Sequence, residues 1–191
     1  MKPRVLIGGI GNVLLGDDAV GPYVVRMLES RYSFDDAIEI ADLGTPALDL
    51  THRIAGQDAV ILIDCVACAD YAPGALLEYR KADILRVAPA QRLDPHSPAL
   101  SECIMTAEML GASPQDVLLV GIVGRNFEPG RPLSHAVRAA VNGAVDAVIA
   151  ELARLGVDSR KRTLGEEPDL WWCDPEAEHP PSLPISARME G

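Results

Sequence analysis

Three side chains at separate points of this sequence have the chemistry of a metal site that is open to a substrate. Asp18 follows a glycine-rich stretch, Asp64 follows a buried apolar run, and His96 lies in a polar connecting segment. Two carboxylates and one imidazole suit a divalent transition metal, and three protein ligands leave coordination positions open. Open positions imply catalysis or ligand exchange, so these residues are candidate metal ligands.

Each of these residues also has a plainer explanation when it is considered alone. Asp17 and Asp18 at the start of a helix would cap it and complement its dipole. A single histidine in a loop, such as His96, would lie in solvent. Asp64 favours the functional interpretation, because an acid at the end of a buried strand must reach water or pair with a cation.

The spacing of the apolar residues predicts strands that alternate with helices. Unbroken apolar runs predict buried strands, and apolar residues at three- and four-residue steps predict helices. The predicted strands are 4–10, 37–41, 59–63, 75–79 and 117–123, and the predicted helices are 18–32, 47–54, a helix capped by Ser97 or Ser101 that ends near Leu110, and 133–155. The segment 80–97 is predicted to be mostly connection.

This alternation predicts an α/β three-layer sandwich with a mostly parallel sheet of about five strands flanked by helices. In such sheets, the loops at the carboxyl ends of the strands build the functional site. The same rule therefore selects the loop 11–18, Asp42 at the end of the second strand, and Asp64 at the end of the third.

The composition describes a globular chain and argues against several partners. Of the 191 residues, 48% are hydrophobic, and 28 acidic against 17 basic residues give a formal net charge of -11. An acidic chain disfavours nucleic acid and anionic membranes as partners. The apolar runs are much shorter than the roughly 20 residues of a membrane span. We therefore expect a cytoplasmic, soluble protein, and we expect a monomer because no heptad or exposed apolar stripe stands out.

The composition changes after Leu155. Residues 157–191 hold eight acids and five of the 15 prolines, and Trp171-Trp172 is their only pair of large apolar residues. We predict a domain over 1–156 and an acidic, proline-rich C-terminal extension over 157–191. Two alternatives stay open for the tryptophans, which either dock onto the domain or belong to a disordered end.

Other motifs for cofactors and catalysis fit the sequence poorly. The segment 9–14 begins like a dinucleotide-binding pattern, but Leu14 stands at its third glycine position. Cys65 and Cys68 form a CxxC without a second pair, which argues against structural zinc, and the four cysteines are expected to be reduced. The Gly-x-Ser-x-Gly motif of a serine hydrolase is absent.

Five motifs in this chain resemble those of the hydrogenase maturation proteases, which trim the large subunit of nickel-iron hydrogenases. The motifs are Gly9-Ile10-Gly11-Asn12-Val13-Leu14-Leu15-Gly16-Asp17-Asp18-Ala19-Val20-Gly21, Asp42-Leu43-Gly44-Thr45, Ile63-Asp64, Pro95-His96 and Leu118-Leu119-Val120-Gly121-Ile122. They occur in family order across about the first 155 residues, and the extension 157–191 has no counterpart in this pattern.

The resemblance implies a twisted α/β sheet domain and an endopeptidase that removes a C-terminal extension after nickel insertion. It assigns Asp18, Asp64 and His96 to metal-contacting positions, with Asp18 where family members often carry Glu, and Asp42 to an acid that assists cleavage or recognition. The implied partner is the precursor of a nickel-iron hydrogenase large subunit. The implied metal is the substrate's own nickel, contacted transiently, and zinc or cadmium is expected to occupy the same site in crystals.

Two mechanisms and two other functions stay open at this point. The three residues either sense nickel that the substrate already holds, or they hold a metal that activates the attacking water by lowering its pKa. A metal-sensing chaperone or checkpoint module would bind the same precursor without cutting it, because no nucleophile or HExxH helix is recognisable. The alternative that this protein is an enzyme acting on a small nucleotide is supported by the glycine-rich loop alone.

Overall fold

Strands and helices alternate along the part of the chain that the computed structural model describes, which is residues 2–46, 49–86, 100–163 and 167–173. The strands are β1 (Val5–Ile10), β2 (Tyr32–Phe34), β3 (Ile38–Gly44), β4 (Ala59–Val66), β5 (Leu76–Arg80), β6 (Asp116–Val123) and β7 (Ser159–Lys161), and the helices are α1 (Val20–Arg31), α2 (Asp49–Ile54), α3 (Lys81–Arg86), α4 (Leu100–Met109) and α5 (His135–Arg154). Short 3-10 turns lie at Gly16–Ala19 and Trp171–Cys173. No helix in these ranges is long and apolar enough to cross a membrane.

Five of the strands form one sheet in the order β3-β1-β4-β6-β5. The first four are parallel neighbours, and β5 runs antiparallel to β6 at one edge. All of β1 and all of β4 except Asp64 are buried, as their unbroken apolar runs predict. The prediction of a mostly parallel, five-stranded sheet flanked by helices is therefore confirmed.

Helices cover both faces of this sheet and give it three layers. Successive residues of a strand point to opposite faces. Ile7 of β1 and Ile61 of β4 belong to the core cluster that includes residues of α1 and α5. Their neighbours Leu6 and Leu62 belong to a second cluster that includes residues of α2, α3 and α4.

Two strands extend further than their apolar residues predict. β3 continues through Asp42 to Gly44, and β4 continues through Asp64 to Val66. The predicted ends of these strands, residues 41 and 63, therefore each fall three residues too early. The cause is main-chain pairing, because Asp42 lies opposite Gly9 of β1 and β4 stays paired with β6 to its last residue.

Several helix boundaries differ from the predicted ones, and α5, predicted over 133–155, spans His135–Arg154. The helix predicted over 18–32 begins two residues later, after the 3-10 turn Gly16–Ala19, and residue 32 already belongs to β2. The first part of the predicted connection 80–97 is α3, since Ile84 is buried in the second core cluster. Ser101 lies inside α4 and does not cap it, while Ser97 and the rest of that connection lie outside the described residues.

Described residues after α5 pack onto the domain. β7 pairs antiparallel with β2, so that Tyr32 lies opposite Lys161. Further along, Leu170 and Trp172 pack against the cluster formed with α1 and α5. Of the two alternatives for the tryptophans, Trp172 therefore follows the one in which the side chain docks onto the domain. The division at residue 156 stays a prediction, and 174–191 lies outside the described residues.

A buried carboxylate fastens α5 to the edge of the sheet at which the parallel strands begin. Glu151 of α5 is 3% exposed, and it accepts hydrogen bonds from Arg80 at 2.6 Å and from Arg154 at 2.8 and 2.9 Å. Arg154 also bonds to Asp116, the first residue of β6. Burial raises the pKa of Glu151, but the two guanidinium groups outweigh it and hold the pKa below its usual range.

We expect Glu151→Gln to lower the free energy of unfolding at neutral pH by about 1–3 kcal/mol. The difference from wild type should shrink as the pH falls below about 4.3, the usual glutamate pKa. A group whose pKa is lowered by folding stabilises the native state above its unfolded pKa and loses this effect as it is protonated. Urea denaturation between pH 7 and pH 3 measures the difference, and Glu102→Gln, an exposed acid of α4, is the control. The same pH dependence in both variants would contradict the assignment.

Candidate active site at the carboxyl edge of the sheet

The loop after β1 is shaped by two glycines with positive φ angles. Gly11 has φ 141° and Gly16 has φ 53°, values that residues with a side chain adopt at a steric cost. Between them, the side chain of Asn12 accepts a hydrogen bond from the Leu14 N–H at 3.0 Å. The loop therefore folds back tightly and leads directly into the 3-10 turn Gly16–Ala19.

Asp18 lies half-buried in this turn, one residue before the N-cap of α1. Its Oδ2 accepts a hydrogen bond from the Asn12 N–H at 2.7 Å, and its own N–H donates to the Leu15 carbonyl oxygen at 3.1 Å. A Cβ on Gly11 would collide with the Asp18 carbonyl oxygen. The loop backbone thus holds Asp18 from two directions.

Asp64 lies on the neighbouring strand at the same edge. It is half-buried in β4 opposite Gly121 of β6, and its Oδ1 accepts a hydrogen bond from the Cys65 N–H at 2.8 Å. The 3-10 turn that carries Asp18 contacts β4 directly. The structure therefore brings Asp18 and Asp64 to one edge, as the carboxyl-end rule predicts.

Asp42 lies on the other side of β1, because β3 is the next strand of the sheet. It is exposed, and its Oδ1 accepts a hydrogen bond from the Gly44 N–H at 2.9 Å. The acids that the sequence selects therefore come from three consecutive parts of one edge, namely β3, the loop after β1, and β4.

His96 falls within 87–99 and lies outside the described residues. Among the residues that are described, no group of three or more His, Cys, Asp and Glu side chains is arranged to hold a metal. Asp18 and Asp64 nevertheless fit the oxygen donors of such a site, because each carboxylate is oriented by a main-chain N–H and is partly accessible. No disulfide joins the four cysteines, all of which lie in the described residues.

Asp17 is the residue at this edge whose importance the sequence did not reveal. It is completely buried, and its carboxylate accepts hydrogen bonds from the N–H groups of Arg125 and Asn126, both at 2.9 Å, and of Ser134 at 2.7 Å. Burial raises the pKa of Asp17, but these donors and the Ser134 hydroxyl outweigh it and lower the pKa below its usual range. No local signal could identify this role, because the donors lie 108 to 117 positions further along the chain.

The fold and the acids at its edge define a three-layer α/β protein with a polar site at the carboxyl ends of its strands. Comparison with known proteins identifies its family. The family model HycI, hydrogenase maturation protease, matches residues 22–151. The Hydrogenase 2 maturation protease of Escherichia coli (strain K12) is 31% identical over 159 residues, which cover 83% of this chain and 96% of that protein.

Further similarities agree with this assignment. The hydrogenase expression/formation protein HupM of Azotobacter chroococcum mcd 1 is 35% identical over 159 residues, or 82% of this chain and 75% of that protein. The solved structure of the hydrogenase maturating endopeptidase HybD from E. coli superimposes with a TM-score of 0.75 at 31% identity, covering 84% of this chain and 98% of that one. This chain belongs to the hydrogenase maturation protease family and is a peptidase, which confirms the resemblance seen in its motifs.

The position of Asp18 depends on how closely α1 approaches the sheet. A Cβ on Gly21 of α1 would collide with the carbonyl oxygen of Ile10 and would lie 2.6 Å from that of Ile63. A Cβ on Gly9 of β1 would in turn collide with the Gly21 carbonyl oxygen. Helix and strands therefore meet backbone against backbone at this point.

We expect Gly21→Ala to lower the free energy of unfolding by about 1–3 kcal/mol, although alanine in a helix is ordinarily favoured over glycine by roughly 1 kcal/mol. The added methyl group must displace main-chain atoms of two strands. The matched control is Gly143→Ala in α5, where the nearest atom is the flexible Leu76 Cδ1 at 2.6 Å, and we expect a neutral or stabilising effect there. Denaturant titration of both variants measures the difference, and equal stabilities would contradict the close approach.

Proposed function

We propose that this protein removes a C-terminal extension from the precursor of a nickel-iron hydrogenase large subunit after nickel insertion. Asp18, Asp64 and His96 would contact the metal in this reaction. The observation that carries the proposal is the convergence of Asp18 and Asp64 at one edge of the sheet, in a chain that belongs to the hydrogenase maturation proteases. His96 is included because its motif matches the family.

The geometry of the two described acids suits transient contact with a divalent metal. Each carboxylate has one oxygen bonded to a main-chain N–H, from Asn12 or from Cys65, so each is oriented without being neutralised by that contact. Carboxylate oxygens combined with one imidazole bind Ni²⁺ and Zn²⁺, and three such ligands leave positions for groups of the substrate. Such a set is poor at holding a metal permanently.

We favour a role for nickel as part of the substrate. Nickel that is held by the precursor's own ligands would gain further ligands from Asp18, Asp64 and His96, so the contact would report that insertion is complete. A metal bound to the enzyme itself would instead supply an activated water for hydrolysis. Asp42 would assist cleavage or contact the peptide, and its exposed position one strand away from the loop of Asp18 supports this role.

We also propose that the protein acts as a cytoplasmic monomer on a protein substrate. The net charge of -11 supports a protein partner over nucleic acid or an anionic membrane. Four cysteines that remain thiols are typical of a reducing compartment.

We expect Asp18→Asn, Asp64→Asn and His96→Gln each to reduce processing of the precursor by at least about 100-fold, because each removes a metal ligand from a site that depends on geometry. The purified variants are incubated with nickel-loaded precursor, products are read by intact mass, and circular dichroism checks the fold. Asp146→Asn, an exposed acid of α5, is the control for the loss of one charge. Normal processing by any of the three variants would remove that residue from the site.

The role of nickel is tested by offering the wild-type protein two precursors, one loaded with nickel and one without it. We expect a defined C-terminal peptide to be released from the loaded precursor only. Release from both precursors would support the peptidase activity but contradict the role of nickel as the signal for cleavage. Release from neither, with binding still detectable, would favour the checkpoint module that does not cut.

A further inference from the structure

The carboxylate of Asp17 joins two loops at the carboxyl edge. One is the loop 11–18 after β1, and the other is 124–134, which connects β6 to α5. Besides the three N–H groups that bind its carboxylate, Asp17 donates its own N–H to the Asn126 carbonyl oxygen at 2.7 Å. The Gly130 N–H also donates to the Leu14 carbonyl oxygen at 2.9 Å. The two loops thus form one hydrogen-bonded unit.

This unit holds the segment that carries Asp18. Asp17 and Asp18 are consecutive residues of one 3-10 turn, in which successive side chains point about 120° apart. Because Asp17 is directed toward the loop 124–134, Asp18 is directed elsewhere, and its carboxylate meets the Asn12 N–H at the end of β1. Rotation of the turn would move both side chains together.

Only a carboxylate satisfies all these donors. The Arg125 and Asn126 N–H groups bind one oxygen of Asp17, and the Ser134 N–H binds the other. Asparagine has one acceptor oxygen and an NH₂ group, so at least one main-chain N–H would face a donor instead of an acceptor. The Asp17 oxygen that binds the Ser134 N–H also lies at the N-terminus of α5, where a negative charge is favoured.

We propose that Asp17 is a positioning residue of the peptidase, which fixes the direction of Asp18 by binding the loop 124–134. The proposal rests on the proposed function, because it assumes that Asp18 takes part in cleavage. Because Asp17 is completely buried, we expect it to touch neither the metal nor the peptide. Its loss should therefore reduce the rate of cleavage and leave binding of the precursor largely intact.

The test compares steady-state kinetics of wild type and Asp17→Asn with nickel-loaded precursor, at a temperature where both are folded. We expect kcat to fall roughly 10- to 100-fold, as for a small displacement of a reacting group, and KM to stay within about threefold of the wild-type value. A wild-type kcat in the folded variant would overturn the proposal. So would a rise in KM with kcat unchanged.

Glu151→Gln separates positioning from a general loss of stability. Glu151 is likewise a buried carboxylate with several hydrogen bonds, but it lies at the opposite edge of the sheet with Arg80 and Asp116. We expect it to keep the wild-type kcat when it is assayed at the same folded fraction. An equal loss of kcat in both variants would show that stability alone is responsible.

Two further variants keep the test decisive. If Asp17→Asn does not fold, Ser134→Ala replaces it, because this change removes the hydroxyl that lowers the pKa of Asp17 and caps α5 at the Val137 N–H, and it keeps the backbone donor to Asp17. For Ser134→Ala we expect a fall in kcat of roughly threefold or more at unchanged KM, and an unchanged kcat would overturn the proposal.

The Asp18→Asn variant separates this proposal from the proposed function. If Asp18→Asn cleaves normally, the proposed function fails at Asp18. If Asp18→Asn is impaired and Asp17→Asn is not, the positioning role of Asp17 is contradicted and the proposed function stands.

Discussion

The backbone of α1 lies directly against the backbone at the carboxyl ends of β1 and β4, and the rest of the site depends on this contact. Gly9, Gly11 and Gly21 each occupy a position where a Cβ would collide with a main-chain oxygen. Side chains ordinarily keep the backbone of a helix away from the sheet it packs on, whereas glycine, which has no Cβ, permits a closer approach. The short turn Gly16–Ala19 before α1 is consequently held against the edge at which Asp64 lies.

Acids at both edges of the sheet are held by hydrogen bonds. At the amino edge, Glu151 binds two guanidinium groups, so its charge is compensated inside the fold. At the carboxyl edge, Asp17, Asp18 and Asp64 accept hydrogen bonds from main-chain N–H groups. An N–H group orients a carboxylate and stabilises its charge without cancelling it. Asp18 and Asp64 are each oriented in this way by a main-chain N–H, which suits the proposed contact with substrate-held nickel.

The sequence predicts those features that depend on local patterns. The unbroken apolar runs of β1, β4 and β6 and the helical spacing in α5 predict a mostly parallel sheet flanked by helices. The carboxyl-end rule then selects Asp42 and Asp64. The features that the sequence does not predict depend on pairing between distant segments. The two strands β2 and β7 have three residues each and join positions 32–34 to 159–161, which is too short for any periodicity. The contacts of Asp17 likewise come from residues more than 100 positions away.

The backbone around Asp18 bears on the metal contact that we propose for this residue. The motif resemblance implies a glutamate at this position in many family members, and aspartate has one methylene less, so its carboxylate reaches less far from the main chain. The reach that the side chain loses has to be supplied by the placement of the turn. Gly11 permits the Asp18 carbonyl to lie close to the loop, and Asp17 fastens the same turn to 124–134. An acid with few rotatable bonds, carried on a turn fixed from both sides, needs little reorganisation to meet a metal, so the shorter residue is compatible with the proposed contact.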